Sequence, residues 1–190
     1  MVAKSSTTEV LPTPGSPINT GLFFFLLLNI CIILFTSSSR PTTGSSLPDT
    51  AKAVKSLEKL NKILTNEEGN MFQRMRAVFS LRNDGSPESI DILSKGFNSN
   101  SALLKHEIAY VMGQMQNEAA IPHLIDRLED EEEHVMVRHE AAEAIGAIGN
   151  ISTKPILEKF LDHKLPEISE SCEVALGLIS HYNDDLFEES

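Results

Sequence analysis

The segment His106-Glu-Ile-Ala-Tyr-Val-Met-Gly-Gln-Met115 recurs thirty-three positions later as His139-Glu-Ala-Ala-Glu-Ala-Ile-Gly-Ala-Ile148. Both copies begin with His-Glu, and both carry alanine three places and glycine seven places after the histidine. Similarity at a fixed period of this length is typical of proteins built from stacked helical hairpins. A His-Glu pair at one position of two neighbouring repeats also supplies metal-ligating groups. The segment therefore predicts a helical solenoid that carries a candidate metal site.

From residue 51 onward the chain shows the periodicity of amphipathic helices. Apolar residues recur at steps of three and four, and Ser86-Pro87 and Ser101 stand where helices would begin. No stretch alternates between apolar and polar residues as a half-buried strand would. The sequence predicts an all-α fold, an alpha-alpha superhelix of about four short HEAT-like hairpins. The predicted helical segments are residues 54–64, 71–81, 103–115, 121–128, 137–148, 155–161 and 167–179, with a further helix that starts at Ser86-Pro87.

The hairpins align on an alanine, which recurs in steps of 32, 33 and 33 residues. In this alignment only the two central hairpins carry His-Glu, whereas the first has Arg74-Met75 there and the last has Cys172-Glu173. The period is close to those of tetratricopeptide and ankyrin repeats, but the signature residues of both are missing. A short HEAT-like repeat fits best. The aligned alanines are Ala77, Ala109, Ala142 and Ala175.

The two histidines of the repeat are candidate ligands of one metal ion. Adjacent helical residues diverge by about 100°, so His106 and Glu107 do not readily chelate the same ion. Equivalent helices of stacked hairpins lie about 8–10 Å apart, which allows His106 and His139 to meet, while Glu107 and Glu140 project toward a second place. Imidazole with carboxylate suits iron, manganese or zinc, and open positions suit oxygen chemistry at iron. The alternative is a polar pair on a solvated face.

The other chemically active residues are interpreted structurally. The remaining histidines have no partner in repeat register and are predicted to be surface or packing residues, and Cys172 is predicted to be a small buried hydrophobe. The acidic run 129–133 is predicted to be a solvated loop, with a surface for a basic partner as the alternative. We find no phosphate loop, nucleophile elbow or zinc signature. The histidines that have no counterpart in repeat register are His123, His134, His163 and His181.

Composition narrows the functional classes. The chain has 190 residues and a formal net charge of −11, so it repels phosphate backbones, and nucleic-acid binding is not expected. It would instead attract a basic partner surface. Its two cysteines, Cys31 and Cys172, show no disulfide or zinc spacing, which favours a reducing compartment and a cytoplasmic location.

Composition also predicts three parts: an extension of low complexity (1–50), a HEAT-like repeat domain (51–182) and an acidic tail (183–190). The extension contains a fourteen-residue apolar run, 22–35, interrupted by Asn29. This run is shorter than the ~20 residues of a membrane helix, so a membrane span is not expected. Its length suits a signal-peptide core, but the only cation before it is the distant Lys4. A signal, a weak anchor and an extension without function stay open.

The segments 103–116 and 136–149 closely resemble deoxyhypusine hydroxylase, and the likeness extends from about Ser56 to Ile179. The resemblance implies a non-haem di-iron monooxygenase that hydroxylates deoxyhypusine on a basic loop of a translation factor. It implies a complete family site with two Fe(2+) ions, to which this chain contributes part of the ligand set. The ligands implied by the match are His106, Glu107, His139 and Glu140.

The same resemblance assigns Gly113 and Gly146 to the substrate site, where a missing side chain lets a long aliphatic amine approach. The family has two such halves and four His-Glu pairs, whereas this chain has two pairs and resembles an N-terminal half. The count of ligands therefore predicts that this chain alone is inactive or nearly so. Activity would need a second copy, related by a two-fold axis, or a separate C-terminal half. The alternative is a non-catalytic HEAT-repeat adaptor whose metal ligands are vestigial.

Overall fold

The computed structural model describes the backbone of residues 50–188 and the side chains of residues 53–183. Within these residues the chain forms eight α-helices and three short 3-10 helices and has no β-strand, which confirms the all-α prediction. The predictions for residues 1–49, including the apolar run 22–35, lie outside the described residues. The helices are α1 (Thr50–Leu64), α2 (Met71–Asp84), α3 (Pro87–Lys95), α4 (Ala102–Met115), α5 (Ile121–Glu129), α6 (Val135–Ile148), α7 (Lys154–Glu158) and α8 (Pro166–Glu188), and the 3-10 helices are Gly96–Asn98, Glu118–Ala120 and Ile151–Thr153.

Polar side chains begin α3 and α4 where the sequence predicts. The hydroxyl of Ser86 accepts the backbone N–H of Ser89 at 3.3 Å, and Pro87 occupies the first turn, where its missing N–H costs nothing. The hydroxyl of Ser101 accepts the backbone N–H of Leu104 at 3.2 Å. Loss of such a cap typically costs about 1 kcal/mol. These serines therefore help to set where the two helices begin.

The last two helices differ in length from the prediction. α7 stops at Glu158 because the chain then turns, with the N–H of Phe160 bonded to the carbonyl of Leu157. α8 continues to Glu188, since no glycine or proline follows residue 177, so the predicted acidic tail begins inside a helix. Although α8 has 23 residues, no helix among residues 50–188 is long and apolar enough to cross a membrane.

The eight helices pair into four hairpins that form two layers. One layer consists of α2, α4, α6 and α8, in which each helix packs against the next. The other helices pack on that layer, and buried apolar residues from all four hairpins join one hydrophobic core. A hairpin with an exposed apolar stripe is stable only when a neighbour covers the stripe, which explains why the core is continuous. The structure thus confirms a stack of four helical hairpins.

Buried arginines close the first and third hairpins in the same way. The Nε of Arg74 donates to the carbonyl of Leu64 at 2.9 Å, and the Nε of Arg138 donates to the carbonyl of Leu128 at 3.0 Å. Arg74 and Arg138 are only 2% and 4% exposed. Each guanidinium satisfies a carbonyl near the end of the preceding helix, where intrahelical partners run out. The arginines therefore tie α2 to α1 and α6 to α5.

Helix ends correct the alignment of the first hairpin. α2, α4 and α6 each have 14 residues, and each is followed by a residue in the left-handed conformation, which closes the last turn. When the three helices are aligned on these ends, Met75-Arg76, and not Arg74-Met75, is equivalent to the His-Glu pairs of the central hairpins. The alignment on Ala77 is therefore wrong by one residue, because cap geometry rather than the alanine sets the register. The left-handed residues are Gly85 (φ 68°), Gln116 (φ 48°) and Gly149 (φ 78°).

Candidate metal centre

The repeated histidines meet at the contact between α4 and α6. The ring centroids of His106 and His139 lie 5.7 Å apart, with their planes inclined by 50°. The Nε2 of His106 lies 3.1 Å from an Oε of Glu140. One ligand atom from each of these three residues lies within 4.8 Å of the other two. The predicted meeting of the two imidazoles is confirmed, and a carboxylate joins them.

The two predicted glutamates occupy different places. Glu140 lies with both imidazoles, whereas Glu107 is not a member of that group. The expectation that both glutamates project toward a second place is therefore wrong for Glu140, because α6 sets this residue against His106. Glu107 is 6% exposed, and its Oε2 has no hydrogen-bond partner among the described residues. Burial raises the pKa of Glu107, and the charge of Glu140 raises it further, although His106 opposes the shift.

His106 is buried among carboxylates. Burial alone lowers its pKa, but the hydrogen bond and charge of Glu140, with the charges of Glu107 and Glu143, outweigh burial and raise it. Its Nδ1 is buried and has no hydrogen-bond partner among the described residues. A buried polar atom without a partner costs about 1–3 kcal/mol. The imidazole therefore has unused bonding capacity in a strongly negative environment.

These observations test whether the residues present suit a metal ion. Two imidazoles and a carboxylate converge, which is the donor set of non-haem iron sites with open positions. Two buried atoms of this centre, the Nδ1 of His106 and the Oε2 of Glu107, lack hydrogen-bond partners within the described part of the chain. The charges of three carboxylates, those of Glu140, Glu107 and Glu143, raise the pKa of His106. A divalent cation would offset this negative charge. The donor set therefore suits a divalent metal ion.

Sequence reasoning missed Glu143, which joins the centre from the next turn of α6. An Oε of Glu143 lies 3.5 Å from the Nδ1 of His139, and the hydroxyl of Ser171 on α8 donates to the same oxygen at 3.0 Å. Burial raises the pKa of Glu143, but the hydrogen bond and charge of His139 outweigh it and lower the pKa. Glu143 lies four residues after His139, and side chains at this spacing are neighbours on a helix, so the sequence did contain a signal for this contact. Comparison of the repeats hid it, because Tyr110 stands at that place in α4.

The two repeated glycines lie where helices approach closely. A Cβ added to Gly113 would lie 2.9 Å from the Cα of Ala144, and one added to Gly146 would lie 2.6 Å from the Cα of Ala175. Both distances are shorter than the contacts that real Cβ atoms make, and the nearest obstructing atom in each case belongs to the backbone. The neighbouring helix thus fills the space of the absent side chain. The structure gives both glycines a packing role, and their contact with a substrate stays a prediction.

These glycine contacts also correct the alignment of the last hairpin. Gly113 meets Ala144 as Gly146 meets Ala175, so Ala175 corresponds to Ala144 rather than to Ala142. The sequence alignment is therefore wrong by two residues at this hairpin. Cys172, three residues before Ala175, corresponds to Ala141, three residues before Ala144, and not to a histidine. Cys172 is fully buried, in agreement with its interpretation as a small hydrophobe.

The thiol of Cys172 is expected to resist modification in the folded protein. Burial raises its pKa to about 11, against the opposing charge of Arg138, so the reactive thiolate is scarce at neutral pH. A Cys31→Ser variant isolates this thiol. We expect labelling with iodoacetamide to be slow in native buffer and fast in denaturant, as measured by mass spectrometry. Equal rates in the two conditions would contradict the burial of Cys172.

Two of the remaining histidines accept backbone hydrogen bonds next to helix starts. The Nδ1 of His134 accepts the backbone N–H of Met136 at the start of α6, and the Nδ1 of His163 accepts that of Leu165.

The acidic run 129–133 is not uniformly solvated. Glu133 is 8% exposed, and the Nζ of Lys105 lies within hydrogen-bond distance of both its carboxylate oxygens, at 2.5 and 2.7 Å. The solvated-loop prediction is therefore wrong for Glu133, because this ion pair holds it against α4.

Comparison with known proteins agrees with the repeat architecture. A family model described as HEAT repeats matches residues 57–136 and 98–177. The deoxyhypusine hydroxylase of Candida albicans is 46% identical over 132 residues, which are 70% of this chain and 42% of that protein. The Danio rerio enzyme is 44% identical over 134 residues, 70% of this chain and 44% of that protein. These relatives share the hydroxylase name.

A solved structure shows the same likeness. The structure of human deoxyhypusine hydroxylase in complex with glycerol superposes with a TM-score of 0.70 at 37% sequence identity, covering 72% of this chain and 47% of that one. The chain thus spans less than half the length of the relatives it matches. The chain belongs to the HEAT-repeat family and, over 70% of its own length, resembles the deoxyhypusine hydroxylases.

Proposed function

We propose that the chain binds iron through His106, His139 and Glu140 and contributes these ligands to a deoxyhypusine hydroxylase site. The observation that carries the proposal is the convergence of two imidazoles and a carboxylate on two consecutive hairpins. The proposal also draws on the likeness to hydroxylases at 46% and 44% identity. Glu107, buried with an unpartnered oxygen, is the fourth proposed ligand, directed toward a second ion.

The residues of the chain would hold and shield the metal. Bound iron would supply the activation of oxygen that hydroxylation needs, and two iron ions are proposed for the complete site. His106, Glu107 and Glu140 are at most 6% exposed, so they limit the access of water to the centre. Gly113 and Gly146 are proposed to border the substrate amine, as the family resemblance implies, in addition to their packing role.

The proposed substrate is the deoxyhypusine side chain on a basic segment of a translation factor. A formal net charge of −11 favours encounter with such a segment, because complementary charge raises association rates. The proposed second partner is either another copy of this chain or a separate C-terminal half that completes the ligand set. We place the reaction in the cytoplasm, where the two cysteines would stay reduced.

The test is the iron content of the purified protein. We expect wild-type protein, loaded anaerobically with Fe²⁺ and desalted, to retain iron that the His106→Ala/His139→Ala double variant loses, because two of the three converging donors are gone. His123→Ala is the matched control, since His123 lies on α5, outside the group. Circular dichroism checks that each variant is folded. Equal iron in wild type and double variant would favour the adaptor function instead.

A further inference from the structure

His139 has a carboxylate partner on the side of its ring that carries Nδ1. Glu143 lies one helical turn after His139 on α6, and its Oε lies 3.5 Å from Nδ1. The same oxygen accepts the hydroxyl of Ser171 at 3.0 Å, and Ser171 is 7% exposed. The side chain of Glu143 is therefore bonded to α8 and lies beside His139 on α6, with 34% of its surface exposed.

This arrangement bears on the tautomer of His139. A neutral imidazole carries one proton, and the nitrogen with a carboxylate partner is the one that keeps it. A proton on Nδ1 leaves the lone pair on Nε2. Metal-bound histidines commonly use such a carboxylate to fix the ring and to raise the basicity of the other nitrogen. His106 differs, since its Nδ1 has no hydrogen-bond partner among the residues described and Tyr110 stands at the place of Glu143.

We propose that Glu143, anchored by Ser171, is a positioning residue that holds the proton of His139 on Nδ1 and presents Nε2 to His106 and Glu140. The inference rests on the proposed metal site but adds a residue that is not among its ligands. It also gives α8 a role in the centre, because the anchoring hydroxyl comes from that helix. Glu143 is not a ligand in this proposal, since it is not one of the three converging residues.

The first test reads the tautomer directly in metal-free protein. Long-range ¹H–¹⁵N NMR under mildly alkaline conditions should show His139 of the wild type protonated at Nδ1. In Glu143→Ala, the form protonated at Nε2 should appear, because the acceptor at Nδ1 is lost. Glu143→Gln keeps an acceptor oxygen and a similar shape, so it should largely retain the wild-type tautomer. An unchanged tautomer in Glu143→Ala would overturn the proposal.

The second test measures the affinity for Zn²⁺ alone, by competition with a chromophoric chelator. Loss of a partner of this kind typically costs about 10- to 100-fold in metal affinity, and we expect that loss for Glu143→Ala. Smaller losses are expected for Glu143→Gln and for Ser171→Ala, in which Glu143 remains but is less firmly held. Glu173→Ala removes an exposed glutamate from α8 and is the control, with affinity unchanged. Equal affinity of wild type and Glu143→Ala would overturn the proposal.

The two tests separate this inference from the proposed function. If wild-type protein binds neither Fe²⁺ nor Zn²⁺, the proposed metal site fails, while the NMR measurement still decides the role of Glu143. If wild type binds metal and Glu143→Ala binds it equally well, the positioning role fails and the metal site stands. Thermal unfolding of each variant shows whether a change in affinity reflects a loss of fold.

Discussion

The 190-residue chain alone, as a monomer, is expected to show no hydroxylation of a deoxyhypusine-bearing translation factor above background. Sites with two metals hold their ions about 3.5–4 Å apart with groups that converge from more than one side. Among the described residues only one group of three potential ligands forms, and it draws on two neighbouring helices. A single ion held from one side does not provide the complete site. Activity should return when a second set of ligands docks against the first.

The measurement is a turnover assay with iron and reductant, on protein whose monomeric state is established by light scattering. The separately expressed C-terminal half of a related hydroxylase is then added, and in a further sample the chain itself is concentrated. The His106→Ala/His139→Ala double variant is the control and should not be rescued by either addition. Multiple turnovers by strictly monomeric wild type would prove that the count of ligands is wrong.

Replacement of Gly146 by alanine is expected to destabilise the fold, whereas the same change at Gly177 should stabilise it. A Cβ at Gly146 would lie 2.6 Å from the backbone of Ala175, so α6 and α8 would have to separate. Overpacking of this kind typically costs about 1–3 kcal/mol. A Cβ at Gly177 would meet nothing within 4 Å, and alanine in an exposed helix gains about 0.8–1.0 kcal/mol over glycine.

Urea unfolding followed by circular dichroism measures both changes in the free energy of unfolding. The pair is matched, because both substitutions add one methyl group to a helix and differ only in what that group meets. We expect the midpoint to fall for Gly146→Ala and to rise for Gly177→Ala, with similar slopes. A rise for both would show that α6 can move away from α8 at little cost, contrary to the close contact described.

Much of the fold could be predicted because local chemistry sets it. Ser86-Pro87 and Ser101 predict helix starts through capping, and the structure shows the predicted bonds at both. The meeting of His106 and His139 could also be predicted, because equivalent positions on stacked hairpins lie on the same side. These features depend on residues near one another in sequence or on the repeat itself.

What could not be predicted depends on contacts between helices. Ala77 and Ala175 resemble the alanines of the central hairpins, but helix ends and interhelical contacts shift their register by one and two residues. The grouping of Glu140 with both imidazoles depends on how α6 packs against α4. The role of Glu143 depends on Ser171, which belongs to another helix and has no repeated pattern. A periodic pattern does not encode such cross-helix partners.

The position of the three converging residues has a consequence for the order in which the protein folds. His106, His139 and Glu140 lie on helices of consecutive hairpins, so the chain between them closes a loop of only about thirty residues. Short loops cost little closure entropy, and contacts between neighbours in sequence form early. In a repeat protein, folding can begin at any pair of neighbouring units. The ligand group is therefore complete as soon as the two central hairpins dock, so its assembly does not have to wait for the docking of α8.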